Sequence, residues 1–426
     1  MEMLTEIVTG VLDVGAVVML PIVMTILGLI FRVKFDQALK AGVTIGIGFA
    51  GLQVMVSFLL TSVQPAIDFY SSMNGSGFTT VDIGWAAVDG AAWSVPWAPL
   101  VIIFGILINL ALIFLNVVDV LNIDIWNYAH FLVAGTMAWA LSGNLWLGFG
   151  VAMAFCVIDL FLAQAVAPKW QEYTGVPGIT CSTLCQLSFG WPFAELMNKI
   201  IDAIPVVRDI DWSMDKVGEK LGVLGDPAII GLIVGLILGV LTQQPWQSTL
   251  LMGMQVAASL VLLPKMVSIM MEGLSTIAGA AQEFMRKHVG KDKDGNEREL
   301  LVGMDVALGI GNPAVVTTSV IMIPLAILFA FIIPGMTYFP IGTMTGIIYQ
   351  IAMFAMVSRG NLFRTVVSFG IFQFVTEWLA AIVAPEATAM LVAAGMSVSG
   401  LVTDAFFGLS GANLLVAFVG RLFTGI

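Results

Sequence analysis

The sequence has little charge and few reactive side chains. Of its 426 residues, 11% are Asp, Glu, Lys or Arg and 59% are hydrophobic. A soluble globular chain is about a quarter charged and about half apolar, so this balance excludes an ordinary soluble domain. The composition predicts an integral membrane protein.

The scarcity of histidine and cysteine limits the chemistry that the chain can perform. There are two histidines, and the three cysteines, Cys156, Cys181 and Cys185, lie in apolar or small-residue stretches. This pattern indicates buried thiols rather than a disulfide framework or a zinc site. Because no P-loop lysine motif and no HExxH-like spacing occurs, we expect no cofactor, no metal and no enzymatic activity of the chain itself. The net charge of −11 comes from scattered acidic residues and indicates no nucleic-acid partner.

Apolar runs near the length that crosses a bilayer fill most of the chain. They predict an all-α polytopic membrane protein with about 10–12 transmembrane helices, formed by one integral membrane domain over residues 1–426. Shorter segments, such as 128–143 and those flanking 175–192 and 303–315, are interpreted as half-helices or re-entrant hairpins. Met1 to Gly10 carry no Lys or Arg and so lack the basic region of a cleavable signal peptide. The apolar stretches lie near 11–31, 41–62, 96–118, 128–143, 145–167, 226–242, 248–269, 316–336, 340–358, 362–384, 386–404 and 405–424.

Two short turns have the same pattern at the start of an apolar run. They are Gly225-Asp226-Pro227-Ala228 and Gly311-Asn312-Pro313-Ala314. A Gly/Pro break beside a carboxylate or an amide is costly in hydrocarbon unless its freed backbone groups line a cavity. Matched breaks are typical of transporters built from repeats. The pair therefore predicts a transport site, with a chance match as the alternative.

Two polar segments have a topological meaning. The segment near 286–299 holds five of the 17 Lys and Arg residues, which predicts a cytoplasmic loop. This loop either docks a soluble partner or is only a solvated connection between two membrane spans. Near 193–204, from Phe193 to Ile204, apolar residues recur at helical spacing, which predicts an amphipathic helix that ends before Pro205. This helix either links two moving parts at the cytoplasmic interface or is a plain surface helix.

A first polar cluster opens a short apolar segment. It contains Asp124, Trp126 and His130, together with Asn122 and Asn127. A sugar site needs such a mixture, because carboxylate, amide and imidazole groups bond hydroxyls and an aromatic face packs against carbon. Alternatively, Asp124 and Asn122 cap a helix and His130 is a packing residue.

Two further clusters follow Gly-rich breaks. Thr180, Ser182 and Gln186 come after Gly175-Val176-Pro177-Gly178, where free N–H groups of a half-helix could bind hydroxyl oxygens. Asp305 and Asn312 bracket a second glycine-containing stretch. A carboxylate such as that of Asp305 is costly in a membrane without a substrate, a proton or a partner. Capping of the following helix is the competing role for Asp305.

Several ordered motifs resemble the membrane IIC component of galactitol-type permeases of the bacterial phosphoenolpyruvate phosphotransferase system, in the ascorbate-galactitol superfamily. The similarity runs nearly end to end, and the set is far more specific than any single motif. The motifs are Val18-Met19-Leu20-Pro21-Ile22-Val23, Lys40-Ala41-Gly42 with Ile45-Gly46-Ile47-Gly48-Phe49, Val81-Asp82-Ile83-Gly84-Trp85, Asp124-Ile125-Trp126-Asn127 with His130, Gly303 with Asp305, Asn312-Pro313-Ala314-Val315-Val316 and Arg359-Gly360-Asn361-Leu362-Phe363-Arg364-Thr365.

The resemblance implies a sugar or polyol transporter of the bacterial inner membrane. It implies a homodimer whose subunits each combine a substrate-holding core domain with a V-motif dimerisation domain, interleaved along the chain and built from inverted repeats with re-entrant hairpins. An elevator movement of the core would carry the substrate, and a partner IIB, itself supplied by IIA, would phosphorylate it at the cytoplasmic side. The IIC chain then supplies binding and positioning.

The resemblance also implies which residues bind the substrate. The correspondence is firmest at His130 and Asp305 and extends to a wider set. The chain departs from the family pattern in reading Ile179-Thr180-Cys181-Ser182 in place of a Pro-His pair and Asn312 in place of a histidine, so the implied solute is a galactitol-like polyol or a related carbohydrate. The wider set is Trp126, Thr180, Ser182, Gln186, Asn312, Asp124 and Trp85, with Asp82 beside them.

An ion-coupled secondary carbohydrate transporter is the alternative from another mechanism class. In that case Asp305 or Asp124 would carry a proton or bind sodium beside unwound backbone. The chemical state of the imported solute separates the two hypotheses, because only the phosphotransferase route delivers a phosphate ester.

Overall fold

The computed structural model describes residues 16–72, 78–122, 124, 127–212, 226–288 and 298–424. Trp126, the segment Met1 to Gly10, Gly225 and residues 289–297 of the expected cytoplasmic loop lie outside the described residues. The described chain is mainly helical, with five strands of three or four residues each.

Although the helices Phe35–Ser72 and Trp246–His288 extend well past the predicted stretches 41–62 and 248–269, each predicted apolar stretch up to residue 382 coincides with one of the helices. Their bounds are α1 (Ala16–Ile30), α2 (Phe35–Ser72), α3 (Trp85–Trp93), α4 (Ala98–Phe114), α5 (Tyr128–Ser142), α6 (Leu145–Thr174), α7 (Trp191–Ala203), α8 (Pro227–Leu241), α9 (Trp246–His288), α10 (Pro313–Ile332), α11 (Ile341–Val357), α12 (Leu362–Ile382), α13 (Ala384–Ala393), α14 (Ala405–Leu409) and α15 (Gly411–Thr424). A π-helical turn, Gln186–Gly190, precedes α7, and a 3₁₀-helix, Val306–Gly311, precedes α10.

The last two apolar stretches are not two simple spans. Helix α13 ends at Ala393, and Gly395 and Gly400 then adopt the left-handed backbone conformation, with φ of 91° and 96°. A strand and the short helix α14 follow before α15 begins. Since left-handed φ angles break a helix and favour glycine, these two residues explain why the expected stretch 386–404 is interrupted.

Five of the described helices are long and apolar enough to cross a membrane. They are Phe35–Ala66 within α2, α6, Trp246–Ala280 within α9, α10 and α12. The pair α3 and α4 would make a sixth, although the two helices are bent by 85° at the break between them. The described chain is therefore a polytopic membrane protein, and the expected count of about 10–12 crossings stays a prediction.

Helices α1, α2, α8 and α9 pack closely on one another, and we call them the four-helix unit. Glycines at its crossings leave no room for a side chain. A Cβ on Gly48 of α2 would lie 2.5 Å from the backbone nitrogen of Met270 in α9, and one on Gly235 of α8 would lie 2.8 Å from the Cα of Gly253. Small residues of this kind let membrane helices approach closely and gain dispersion energy.

The strands form two small parallel sheets outside the four-helix unit. Strand β4 (Leu301–Met304) lies between β2 (Val120–Asn122) and β3 (Ile179–Cys181). Strand β1 (Thr80–Asp82) pairs with β5 (Leu401–Thr403), and Thr80 also bridges to Tyr338. In both sheets a strand from one half of the chain pairs with segments from the other half. These pairings satisfy backbone groups at breaks between helices, where hydrocarbon offers no hydrogen-bond partner.

Carboxylates and amides end these strands and start the next helices. Asp305 accepts from Ala307 N at 2.6 Å, and Asp404 accepts from Phe406 N at 2.8 Å. Asp226 and Asn312, in the two matched turns, cap α8 and α10 in the same way, and each helix has proline at its first position. The matched turns are thus helix N-termini, where such caps satisfy free N–H groups.

Helix α7 occupies the segment in which an amphipathic helix was expected. Met197 and Ile201 are buried, whereas Leu196 and Ile200 are exposed. Arg364, at the start of α12, bonds Asp202 of α7 at 2.7 Å. The helix is thereby attached to the part of the chain outside the four-helix unit.

Arg298 fixes the entry to strand β4. Its guanidinium is almost fully buried, pairs with Asp119, and donates to the carbonyl oxygens of Ile113 and Val118, both at 3.0 Å. The backbone then continues this attachment, because Leu301 N donates to Asp119 O at 2.7 Å. Arg298 therefore sets the register of the strand that ends at Asp305.

We expect Arg298→Met to lower the midpoint of thermal unfolding of the detergent-purified protein by about 5 °C, because it leaves a carboxylate and two carbonyls without their donor. Arg208→Met is the matched control, since Arg208 pairs with Asp209 at the surface. Exposed ion pairs contribute about 0–1 kcal/mol, so the control should unfold close to the wild type. Equal midpoints for the two variants would refute the role given to Arg298.

Candidate functional site

A cavity of about 470 Å³ lies between the four-helix unit and the rest of the protein. The four-helix unit contributes a mainly apolar wall, and the other side carries most of the polar groups. The wall residues are Leu20, Phe49, Leu52, Gln53 and Met270, and the polar side includes Trp85, Asp89, Asp124, Asn127, His130, Thr183, Gln186, Asp305, Thr343, Tyr349, Gln350 and Asp404. The volume is in the range of small-ligand pockets.

Asp305 stands at the end of β4 and lines this cavity. One of its carboxylate oxygens accepts the capping bond from Ala307 N, and the preceding backbone nitrogen, Val306 N, donates to the hydroxyl of Thr183. The two roles considered for Asp305, helix cap and cavity residue, are therefore compatible. A cap fixes the carboxylate in place, which is what a binding group requires.

Asn127 connects the first polar cluster to the second. Its side-chain nitrogen bonds Asp124 at 2.8 Å and the hydroxyl of Thr183 at 3.0 Å. The same hydroxyl accepts from Val306 N at 2.9 Å. Residues that follow three different strands thus meet in one network at the cavity.

Asn122 supports this network from a position outside the cavity lining. Its side-chain oxygen accepts from Asp124 N at 3.0 Å and from the hydroxyl of Ser182 at 3.2 Å, and its side-chain nitrogen donates to Asp159. The hydroxyl of Thr180 donates to Ala163 O at 2.6 Å. Thr180 and Ser182 use their hydroxyls inside the fold and do not line the cavity, so their contact with a substrate stays a prediction.

An aromatic wall faces the carboxylates. The ring of Trp85 lies 4.1 Å from that of Phe406 and 5.3 Å from that of His130, measured between centroids. Cys185 N donates to Nδ1 of His130 at 3.3 Å. Because Nδ1 is an acceptor, the neutral ring carries its proton on Nε2, where it can donate to a ligand.

Two buried glutamine side chains that line the cavity have a carbonyl oxygen without a hydrogen-bond donor. The Oε1 atoms of Gln186 and Gln350 are inaccessible and make no hydrogen bond within the described residues. Gln186 is 2% exposed and Gln350 is 7% exposed. Buried polar atoms are almost always paired, and unpaired amide oxygens also occur away from the cavity, at Gln373 and Asn413. Those of Gln186 and Gln350 are candidate acceptors for a ligand because both residues line the cavity.

A second carboxyl cluster reaches the cavity from the other sheet. Asp404 and Thr343 line it. Thr343 bonds Asp82 at the end of β1, and Asp404 directly follows β5, the strand that pairs with β1. Asp404, Thr343 and Gln350 were not identified from the sequence. Leu401-Val402-Thr403-Asp404 repeats the pattern of an apolar strand ending in an aspartate seen at Leu301 to Asp305, and this repeat could have revealed Asp404.

Asn312 does not line the cavity. Its side chain caps α10 by accepting from Ala314 N at 2.9 Å, and a Cβ on Gly360 would lie 3.2 Å from its side-chain nitrogen. Of the expected binding residues, the structure therefore brings together His130, Asp305, Gln186, Asp124 and Trp85. The direct binding role of Asn312 stays a prediction, and Trp126 lies outside the described residues.

Comparison with known proteins gives consistent matches over most of the chain. Residues 10–400 match the family described as PTS system sugar-specific permease component, EIIC-GAT. The galactitol-specific EIIC components of Escherichia coli K12 and O157:H7 are each 33% identical over 378 residues, which cover 89% of this chain and 82% of those proteins. A putative permease IIC component of E. coli K12 is 30% identical over 390 residues, 92% of this chain and 88% of that protein.

We expect Gln350→Leu to leave the midpoint of thermal unfolding unchanged or to raise it, because the change removes a buried oxygen that has no partner. Gln373→Leu is the matched comparison. Gln373 is equally buried and lies outside the cavity, and its side-chain nitrogen donates to Glu377 at 2.9 Å. That variant should lose about 2–4 kcal/mol, since it leaves a buried carboxyl without its donor. A larger loss for Gln350→Leu would show that Gln350 has a structural role.

Proposed function

Because the chain belongs to the family of sugar-specific permease components of the phosphotransferase system, EIIC-GAT, we propose that it translocates a galactitol-like polyol or a related carbohydrate that a partner IIB then phosphorylates. The chain is a multi-pass inner-membrane transport subunit of a system that works with IIA and IIB components. The solute, the movement and the oligomeric state belong to the proposal.

The two unpaired amide oxygens beside carboxylates and an aromatic wall carry the proposal. A polyol has many hydroxyl donors and a short carbon chain, and no net charge. Asp305, Gln186 and Gln350 would accept from hydroxyls, and Nε2 of His130 would donate to a hydroxyl oxygen. Trp85 would pack against carbon. A site with several matched hydrogen bonds can reject an analogue that lacks one hydroxyl.

Galactitol is named for two relatives, and this chain differs from the expected family pattern near Thr180 and at Asn312. Both residues lie outside the cavity among the described residues. Their effect on the choice of solute would thus be indirect, through the strand β3 and the start of α10. This supports a polyol or related carbohydrate as the substrate class and leaves the choice among solutes to the cavity residues.

The position of the cavity supports an elevator movement. The apolar wall belongs to the four-helix unit, and most polar groups belong to the remainder of the chain. In the proposal, the four-helix unit is the V-motif part that forms the homodimer and the remainder is the core that moves with the substrate. A substrate bonded mainly to the core would break few hydrogen bonds to the four-helix unit when the core moves along its apolar side chains.

The strand pairings support inverted repeats with re-entrant segments. In each sheet one strand, β4 or β1, pairs with segments from the other half of the chain. Asp305 directly follows β4 and lines the cavity, and Asp82 ends β1 and bonds Thr343, which lines the cavity. The bent pair of α3 and α4 and the short helix α5 would be parts of such segments. Breaks of this kind are typical of the binding sites of transporters.

The proposal is tested by uptake of radiolabelled polyols and hexoses into cells that express the chain with active or inactive IIB. Chromatography of the intracellular label gives the result. We expect a phosphate ester that appears only with active IIB, which would also identify the substrate. Free solute that accumulates without IIB and is released by an uncoupler would instead support an ion-coupled secondary transporter.

Asp305→Asn should weaken binding of the solute found by that uptake assay about tenfold to a hundredfold, because hydrogen bonds to a charged group contribute about 1.5–3 kcal/mol. Asp226→Asn is the matched control, since Asp226 caps α8 from an exposed position. Asparagine caps helices as well as aspartate does, so both variants should fold. Isothermal titration of the purified protein measures the affinity, and equal affinities would exclude Asp305 from the site.

His130→Ala should abolish binding without changing the size of the detergent-solubilised oligomer. The imidazole is buried against Trp85 and Phe406, and its Nε2 proton would be lost with it. Light scattering coupled to size exclusion measures the oligomer, and titration measures binding. Wild-type affinity in this variant would remove His130 from the proposed site.

A further inference from the structure

Two carboxyl groups are fully buried in helices outside the cavity lining. Asp159 lies in α6 and Glu377 lies in α12, and both side chains are 0% exposed. The ion pairs that the described residues form include neither of them. A buried carboxylate is costly unless a cation or several donors compensate its charge. The surroundings of these two groups therefore indicate whether they are charged.

Each of the two acids has one hydrogen-bond donor, a neutral amide. Oδ2 of Asp159 accepts from Nδ2 of Asn122 at 3.2 Å, and Oε1 of Glu377 accepts from Nε2 of Gln373 at 2.9 Å. The second oxygen of each acid, Oδ1 or Oε2, is inaccessible and makes no hydrogen bond within the described part of the chain. Carboxylates that stay ionised when buried accept several hydrogen bonds or face a cation. The neutral acid needs neither, because one oxygen carries a proton.

The basic residues of the two helices lie far from the acids and pair elsewhere. Lys169 of α6 pairs with Glu195, and Arg364 of α12 bonds Asp202 at 2.7 Å. They are ten and thirteen residues along the helix from the buried acids. At 1.5 Å per residue, these separations are about 15–20 Å. Neither cation can therefore compensate a negative charge on the acid of its own helix.

The same arrangement of strand and helix surrounds both acids. The hydroxyl of Thr180 in β3 donates to Ala163 O at 2.6 Å, one turn after the buried acid of α6. The hydroxyl of Thr403 in β5 donates to Ala380 O at 2.9 Å, one turn after the buried acid of α12. Strands β3 and β5 pair with β4 and β1, respectively. The two acids thus occupy corresponding positions behind the two sheets.

A tyrosine also lies one helical turn from each acid. A Cβ on Gly105 of α4 would lie 2.6 Å from Cε1 of Tyr128 and 3.3 Å from Sγ of Cys156, which is one turn before the acid of α6. Tyr338 packs in one cluster with Ala380, one turn after the acid of α12. Both phenol oxygens are buried. A phenol or a thiol brings no positive charge, so these neighbours favour a neutral acid over an ionised one.

We propose that Asp159 and Glu377 are proton-binding sites, one behind each sheet, and that each retains its proton and is neutral in the folded protein. The inference goes beyond the proposed function, because neither acid lines the cavity. The proton lets each acid hold its amide partner without placing a charge in the apolar interior. In the first half of the chain this partner is Asn122, which accepts from Asp124 N beside the cavity.

Infrared difference spectra of the full-length purified protein test the proposal at neutral pH. Asp159→Asn and Glu377→Gln each remove one carboxyl group, and we expect each variant to lose one C=O stretching band of a protonated carboxyl. Glu386→Gln is the matched control, since Glu386 is 1% exposed but accepts from Nη2 of Arg421 at 2.9 Å. That variant should lose only carboxylate bands. Loss of carboxylate bands in Asp159→Asn or Glu377→Gln would overturn the assignment for that residue.

Thermal unfolding of the same variants provides a second readout. Asn and Gln keep the volume and the accepting oxygen of a neutral acid, so Asp159→Asn and Glu377→Gln should unfold within about 2 °C of the wild type. Glu386→Gln leaves Arg421 without its carboxylate and should unfold about 5 °C lower. A variant at Asp159 or Glu377 that unfolds as low as this control, or does not fold, would refute the neutral acid there.

Sodium is the competing occupant, because a bound cation could also compensate a buried carboxylate. We expect the wild type to unfold at the same temperature in sodium chloride and in choline chloride of equal concentration. A higher midpoint in sodium that disappears in Asp159→Asn or Glu377→Gln would replace the proton with a bound cation, since a ligand of the folded state stabilises it. None of these measurements uses a transported solute, so their outcome is independent of the proposed function.

Discussion

The structure depends on how backbone groups are paired where helices break inside an apolar protein. Each break leaves N–H and C=O groups that hydrocarbon cannot satisfy. Here the breaks are filled by strands of three or four residues, which pair in parallel with strands from distant parts of the chain. Such strands are too short to be stable alone. Helices packed around the sheets and Arg298 at the entry of β4 hold them in register.

The short strands at the helix breaks also bring polar side chains together. A helix that starts directly after a strand needs an acceptor for its first N–H groups, and Asp305 and Asp404 supply it. Since the strand ends lie beside one cavity, each cap places a carboxyl group there. The same side chains therefore cap helices and line the cavity. A substitution of one of them alters both stability and binding unless the new residue preserves the capping bond.

The sequence predicted the elements that local patterns encode. Helix positions up to residue 382 followed the apolar stretches, and His130, Asp305, Gln186, Asp124 and Trp85 were expected at a site and line the cavity. Asp404 was missed because Leu401-Val402-Thr403 was interpreted as the end of an apolar span. Its significance comes from pairing with Thr80 to Asp82, which lie more than 300 residues earlier and leave no local signal.

The distribution of polarity around the cavity bears on how a bound solute could move. Gln53 is the single polar side chain that the described four-helix unit contributes to the wall, beside Leu20, Phe49, Leu52 and Met270. Each hydrogen bond broken without replacement in a buried site costs about 1–3 kcal/mol, so a solute bonded to both units would oppose their relative movement. Apolar contacts lack direction and can be exchanged during sliding. With its hydroxyls bonded mainly to one unit, the solute would travel with that unit, and the barrier would depend chiefly on the apolar interface.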